Sequence, residues 1–280
     1  MPSDGLKRRK RIMKSTFVLA QVASAGPAEE NLKKAEAAIL EAVSLYRPDV
    51  MVFPENFMSV WPPKTPQETR LAEAQPTDGP FVKGMCRLAA EHGIWLIFGM
   101  SEACEDPEDH RTYNTTVIAD ASGTVVATYR KTHLYDAFSY TESDHIKAGD
   151  RMFEPIDTPF GRLGLAVCYE IRFPELTRYQ KNCGAEILVV PMAWAAGRMK
   201  SDHYHTMLRA RAIENTYYVL ACDQCGKATI GESVAYDPMG TAVAAAGLTE
   251  TLLPVYIDTD SITRVSQDLP SYQNRRTDLY

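Results

Sequence analysis

Cys168 ends the apolar run Leu163-Gly164-Leu165-Ala166-Val167 and precedes Tyr169-Glu170-Ile171-Arg172-Phe173-Pro174-Glu175. A run so short and apolar reads as a buried strand. Pro174 suits the first turn of a helix, where its missing N–H removes nothing. The thiol is therefore expected in a strand-to-helix elbow, beside backbone N–H groups free to bind an anion. Two further segments have this form. Asp49-Val50-Met51-Val52-Phe53-Pro54 leads to Glu55, and Thr124-Val125-Val126-Ala127-Thr128-Tyr129-Arg130 leads to Lys131. A thiol, a carboxylate and an ammonium each follow a strand, and α/β sheets bind ligands beyond the carboxyl ends of their strands. A thiol is mostly protonated near neutral pH, so as a nucleophile it needs a base or a positive neighbour.

The elements that must hold these groups follow from the pattern. Residues 15–23 read as a strand, Glu29 to Tyr46 as a helix with apolar residues at helical spacing, and 49–54 as the next strand. Trp61-Pro62-Pro63-Lys64-Thr65-Pro66 reads as a loop. A helix runs from Pro80 to His92, ended by Gly93, and Ile94 to Met100 is a strand. Glu102 to Arg111 reads as a polar loop. Strands 113–120 and 124–130 flank a hairpin turn at Ser122-Gly123, and 132–151 is a long irregular loop. Strand 163–168, helix 174–183, strand 186–191, helix 202–214 and strand 217–222 follow. Residues 232–257 carry two or three strands, and a short helix at 260–267 precedes an extended tail. The alternation predicts an α/β fold with mixed sheets, two of them stacked and covered outside by helices. Loops 57–70, 132–150 and 193–201 are expected to shape a pocket.

The chain has 280 residues, 45% of them hydrophobic, enough for one large core. A formal net charge of −6 implies no general affinity for nucleic acid or an anionic membrane. No apolar stretch reaches the length of a bilayer span. Residues 1–14, with the run Lys7-Arg8-Arg9-Lys10-Arg11, read as a basic leader, and 15–280 as a single domain. The six cysteines, without a secretory signal, are expected to be reduced thiols in a cytoplasmic protein. Cys222-Asp223-Gln224-Cys225 reads as two packed cysteines at a strand end.

Taken in order, these segments resemble the nitrilase superfamily of carbon–nitrogen hydrolases. Its carriers are Phe53-Pro54-Glu55-Asn56, Tyr129-Arg130-Lys131-Thr132-His133-Leu134, Gly164 through Glu175, Leu208-Arg209-Ala210-Arg211-Ala212-Ile213-Glu214-Asn215, and the ending Asn274-Arg275-Arg276-Thr277-Asp278-Leu279-Tyr280. Cysteine followed by Tyr169 and Arg172-Phe173-Pro174-Glu175 is similar to the amidase branch that includes ω-amidase and deaminated-glutathione amidase. Met192-Ala193-Trp194-Ala195-Ala196-Gly197 departs from those two amidases. The resemblance implies an α-β-β-α sandwich, a homodimer or higher homo-oligomer, and a Glu–Lys–Cys catalytic set without metal or cofactor.

On that basis Glu55 accepts the Cys168 proton, and the thiolate attacks the carbonyl of a small carboxamide. Lys131 and the Tyr169 backbone N–H hold the oxyanion, and water then releases a thioester. Glu142 carries the family's second glutamate role, with Asp144 as the rival. Arg172 is expected either to grip a substrate carboxylate or to pair with Glu170, Glu175 or another acid. Trp61, Phe138, Tyr140 and Trp194 are expected either to wall the substrate pocket or to serve ordinary packing. Helices 174–183 and 202–214 are expected to contact a second copy through Leu176, Tyr179, Met207, Leu208, Ala212 and Ile213, with the tail crossing to it. The same scaffold also admits N-carbamoyl or nitrile hydrolysis. Other functional classes are a histidine-assisted cysteine hydrolase and a non-enzymatic scaffold.

Overall fold

A computed structural model describes residues 14–62, 64–106 and 108–279. Apart from Lys14, the basic leader lies outside them. The chain begins with β1 (Lys14–Gln21), α1 (Ala28–Tyr46), β2 (Val50–Val52), α2 (Gln67–Glu73), α3 (Pro80–His92) and β3 (Trp95–Ala103). The hairpin β4 (Thr112–Ala119) and β5 (Val125–Arg130) follows, then the small pair β6 (Asp136–Ala137) and β7 (Tyr140–Thr141). The second half runs β8 (Ile156–Thr158), β9 (Gly161–Leu165), α4 (Pro174–Asn182), β10 (Ile187–Met192), α5 (Lys200–Asn215) and β11 (Tyr218–Asp223). It closes with β12 (Val234–Tyr236), β13 (Ala242–Ala245), β14 (Thr251–Asp258) and α6 (Asp260–Asp268).

Two six-stranded mixed sheets result, ordered β14-β1-β2-β3-β4-β5 and β13-β12-β11-β10-β9-β8. Each has three parallel strands at its heart: β1, β2 and β3 in one, β9, β10 and β11 in the other. Period-two alternation divides the side chains of the first sheet. Phe17 and Leu19 of β1 and Val50 and Val52 of β2 join Leu165, Val189 and Leu220 between the sheets. Val18, Ala20 and Met51 point the other way, into a layer with Ile39 of α1 and Met85 and Leu88 of α3. Leu176 of α4 and Leu208 and Ala212 of α5 cover the second sheet. The expected α-β-β-α sandwich is what forms.

Several local expectations change. Residues 67–73 form α2, where the sequence reads as loop. β3 continues to Ala103, because Glu102 is buried against Arg130 (2.6 and 3.0 Å) and Thr115 (2.6 Å) instead of facing solvent. The tail after α6 runs through turns at 271–274 and 277–279, and Tyr272 bonds Asn182 of its own chain at 2.9 Å. Leu176, Leu208 and Ala212 are spent on the chain's own core. Of the face read as a contact for a second copy, Ile213 stays exposed and Tyr179 and Met207 are half-buried. The six cysteines are free thiols, and Cys222 bonds the Ala20 and Val52 carbonyls of the facing sheet at 3.4 and 3.1 Å.

Candidate active site

The groups singled out from the sequence gather beyond the carboxyl ends of β2, β5 and β9. Glu55 opens a turn two residues past Phe53, whose N–H still bonds Ile97 of the neighbouring strand. That turn crosses Gly99 of β3 so closely that a Cβ there would lie 2.5 Å from Asn56 N and 2.9 Å from Pro54 O. Only a residue without a side chain lets the turn pass. Lys131 follows β5 directly, held by its N–H on Asn114 O at 2.9 Å. Glu142 begins a single 3-10 turn, Glu142–Asp144, inside the long loop. Cys168 begins another, Cys168–Arg172, and takes a left-handed φ of 47°. The expected elbow is therefore a tight 3-10 turn. The α-helix proper starts later, with Pro174 at its first position. A non-glycine residue in that conformation stores strain.

Lys131 Nζ donates to Glu55 Oε1 at 2.9 Å and to Glu142 Oε1 and Oε2 at 3.1 and 2.9 Å. Asn114 Nδ2 donates to Glu55 Oε1 at 2.7 Å, and the backbone N–H of Ala193 to Glu55 Oε2 at 2.8 Å. All three ionic side chains are buried, Lys131 at 2% exposure. Asp144 is exposed, which separates it from Glu142. Burial alone would pull the Lys131 ammonium down, but the charges of Glu55, Glu142 and Cys168 outweigh it and hold its pKa well above the ordinary value. For the Cys168 thiol, burial and then the Glu55 charge push the pKa well up. Lys131 and the Ala193 N–H pull it back only in part. Cys168 at rest is thus a neutral thiol beside a buried carboxylate–ammonium–carboxylate cluster. Tyr169 occupies the second position of its 3-10 turn, where a backbone N–H has no partner within the turn.

Glu170 ties the two halves of this site together. Its Oε1 accepts from Tyr129 Oη (2.7 Å), Thr132 N (2.8 Å) and Thr132 Oγ1 (2.8 Å) beside Lys131, and its Oε2 accepts from Val167 N (2.8 Å) beside Cys168. Burial would raise its pKa, yet hydrogen bonding from His133, Tyr129 and the Thr132 and Val167 N–H groups holds it below the ordinary value. It is therefore a buried carboxylate committed to structure, and Arg172 does not pair with it. His133 turns toward Thr132 (2.9 Å) and stacks on Phe173.

The expected pocket residues divide into two groups. Trp61 and Tyr140 line a cavity of about 190 Å³ with Glu142, Gln67 and Arg70. Trp194, Arg172 and Phe138 gather elsewhere. The Arg172 guanidinium lies 4.8 Å from the Trp194 ring centre and 5.7 Å from that of Tyr169. Phe138 is 72% exposed at the turn between β6 and β7. Sequence reading missed Asn114, Tyr135 and Asp223. Asn114 had a signal, a polar residue amid the apolar and β-branched ones of β4. Tyr135 binds Glu142 Oε2 through its N–H at 2.6 Å. Buried Asp223 accepts the Trp194 N–H at 2.8 Å, next to the peptide that holds Glu55. Burial raises its pKa well above the ordinary value, against the pull of the Trp194 N–H.

Residues 19–267 match the family model described as carbon–nitrogen hydrolase. Deaminated glutathione amidase of Mus musculus is 38% identical over 274 residues, covering 94% of this chain and 83% of that one. The crystal structure of the Caenorhabditis elegans NitFhit protein superposes with a TM-score of 0.88 at 33% identity, covering 96% of this chain and 66% of that one. Saccharomyces cerevisiae Nit3, a member of branch 10 of the nitrilase superfamily, superposes with a TM-score of 0.82 at 28% identity, covering 94% and 97%.

Proposed function

The chain belongs to the carbon–nitrogen hydrolase family and is a hydrolase of carbon–nitrogen bonds; from this we propose that it is a cysteine-dependent amidase, splitting a small carboxamide into a carboxylic acid and ammonia. The observation that carries the reading is the Lys131 ammonium shared by Glu55 and Glu142 beside the Cys168 thiol.

Each step is assigned to one of these groups. The thiol is neutral at rest, so its proton passes to Glu55 as the sulfur bonds the amide carbon. Charge grows on the carbonyl oxygen, and the Lys131 ammonium with the Tyr169 N–H stabilises it. Removing one such donor typically costs about a hundredfold or more in rate. Glu55 returns the proton to the nitrogen, the carbon–nitrogen bond breaks, and ammonia leaves a thioester on Cys168. Glu55 then takes a proton from water as its oxygen attacks the thioester. The acid departs, and the sulfur recovers its proton. Glu142 holds Lys131 through both of its carboxylate oxygens and keeps the ammonium charged throughout.

Ammonia release from a panel of primary amides tests this, with Cys168→Ala as the control. Release by that variant at the wild-type rate would falsify the nucleophile assignment. Carbon dioxide appearing together with ammonia would point to a carbamoyl substrate. The reading includes a homodimer, for which exposed Ile213 and Met239 are available, and light scattering showing a monomer at micromolar concentration would contradict it. Free thiols at all six cysteines fit a reducing compartment such as the cytoplasm.

A further inference from the structure

Cys222-Asp223-Gln224-Cys225 ends β11 in the second sheet, yet its side chains reach the first. All four residues are buried, none more than 6% exposed. Cys222 Sγ lies 3.4 and 3.1 Å from the Ala20 and Val52 carbonyl oxygens, and Cys225 Sγ lies 3.9 Å from that of Gln21. These carbonyls belong to the closing residues of β1 and β2. Gln224 reaches beyond them. Its Nε2 donates to the Glu55 main-chain oxygen at 2.8 Å, its Oε1 accepts from Ser24 N at 3.2 Å, and its own N–H donates to Met192 O at 3.0 Å. One side chain therefore binds the segments that follow β1 and β2, while its backbone is paired with the last residue of β10.

Glu55 needs such a hold. Asn56, the next residue, has a left-handed φ of 54°, which a residue with a side chain adopts only at a cost. The Gln224 amide binds the oxygen of the peptide that joins the two. Asp223 governs the other end of Glu55. Its Oδ1 accepts from Trp194 N at 2.8 Å, and the preceding N–H, that of Ala193, donates to Glu55 Oε2 at 2.8 Å. Two consecutive residues of one turn thus fix both the main chain and the carboxylate of Glu55. Cys168 follows β9 in the same sheet as this turn, whereas Glu55 follows β2 in the other. Proton transfer needs its two groups within hydrogen-bond reach, and a shift of about 1 Å can cost about a hundredfold in rate. We propose that Gln224 is a positioning residue for the catalytic base, fixing through the Glu55 main-chain carbonyl where the carboxylate stands relative to the Cys168 thiol. The inference rests on the amidase reading, in which Glu55 is that base, and deepens it.

The test is a double-variant cycle read on alkylation of Cys168 by iodoacetamide, measured by mass spectrometry below the melting temperature of every variant. Gln224→Met keeps the length of the side chain and removes its N–H. Alkylation slows by about tenfold or more, and kcat for ammonia release falls with it while KM changes little. In Glu55→Gln, where the base is already gone, adding Gln224→Met slows alkylation no further. A merely structural glutamine would act on both backgrounds alike, so equal slowing in the two overturns the proposal. Should Gln224→Met not fold, Gln224→Asn, whose amide falls one methylene short of Glu55, enters the same cycle with the same two outcomes. If Glu55→Gln alone leaves alkylation unslowed, the base assignment falls and this inference with it. If Glu55→Gln slows it and Gln224→Met does not, the inference alone is overturned.

Discussion

Replacing Lys131 by Met removes one ammonium and leaves two carboxylates. The lysine makes hydrogen bonds of 2.9, 3.1 and 2.9 Å to Glu55 and Glu142 from a position 2% exposed. Breaking a buried pair by deleting one partner costs about 3–5 kcal/mol. Here two charges lose the same counter-ion, so the cost belongs near about 5 kcal/mol, or about 10–20 °C in melting temperature. The pH dependence gives a sharper check. In the wild type the lysine's folded pKa lies above its ordinary 10.5. Its contribution is therefore complete below that value and is lost only as pH rises through the folded pKa. In Lys131→Met the like charges force one carboxylate to keep a proton that the unfolded chain gives up above its ordinary 4.5 range. The folded variant then holds the extra proton, and its stability falls as pH rises from about 5 to about 8. Thermal melts across that range should show the deficit widening with pH. Adding Glu142→Gln should recover most of it, because only one carboxylate then remains. A deficit that is independent of pH, or a double variant no better than the single, would refute the reasoning. Ammonia release should fall at least about a hundredfold in the single variant.

Glu55→Gln keeps the shape and the Asn114 side but removes the base. Turnover should drop by about a hundredfold or more, and alkylation of Cys168 by iodoacetamide, followed by mass spectrometry, should slow with it. Unslowed alkylation would mean that another group takes the thiol proton. Gly99→Ala places a methyl 2.5 Å from Asn56 N. The Glu55 turn must shift, so both melting temperature and kcat should fall, by about 1–3 kcal/mol in stability. Asp223 has a folded pKa raised above its ordinary 3.8, so it costs stability progressively as pH rises past that value. Asp223→Asn should therefore be more stable than wild type at pH 7, with the gap closing toward about pH 4. Denaturant titrations at the two pH values would decide it, and a gap that widens on acidification would show the residue to be charged.

The layered architecture was legible because the apolar periods were clean. Helix α3 matched end to end, with Pro80 opening it and Gly93 closing it at a φ of 65°. That Glu55, Lys131 and Cys168 come together was legible because each lies within three residues of a strand end, and a strand end restricts where the next side chains can go. What failed was tertiary. Glu102 looked like the start of a polar loop because its partner Arg130 is distant in sequence. That Leu176, Leu208 and Ala212 pack on the chain's own second sheet was not visible, because a sequence does not say which sheet will claim a helix face. Tyr135 carried no pattern at all. It lies in an irregular loop, and its meaning arises only where its N–H meets Glu142.

Glu55 and Lys131 hang from one sheet and Cys168 from the other, with Glu170 fastening the two loops at the seam. On the proposed mechanism, neither half of the chain holds a working set of groups by itself. A newly synthesised polypeptide whose first half alone has condensed owns a base and a cation with nothing to activate. A detached second half owns an ordinary, sluggish thiol. Reactivity is thereby deferred until the halves clasp, and a cleaved chain would regain it only by reassembly.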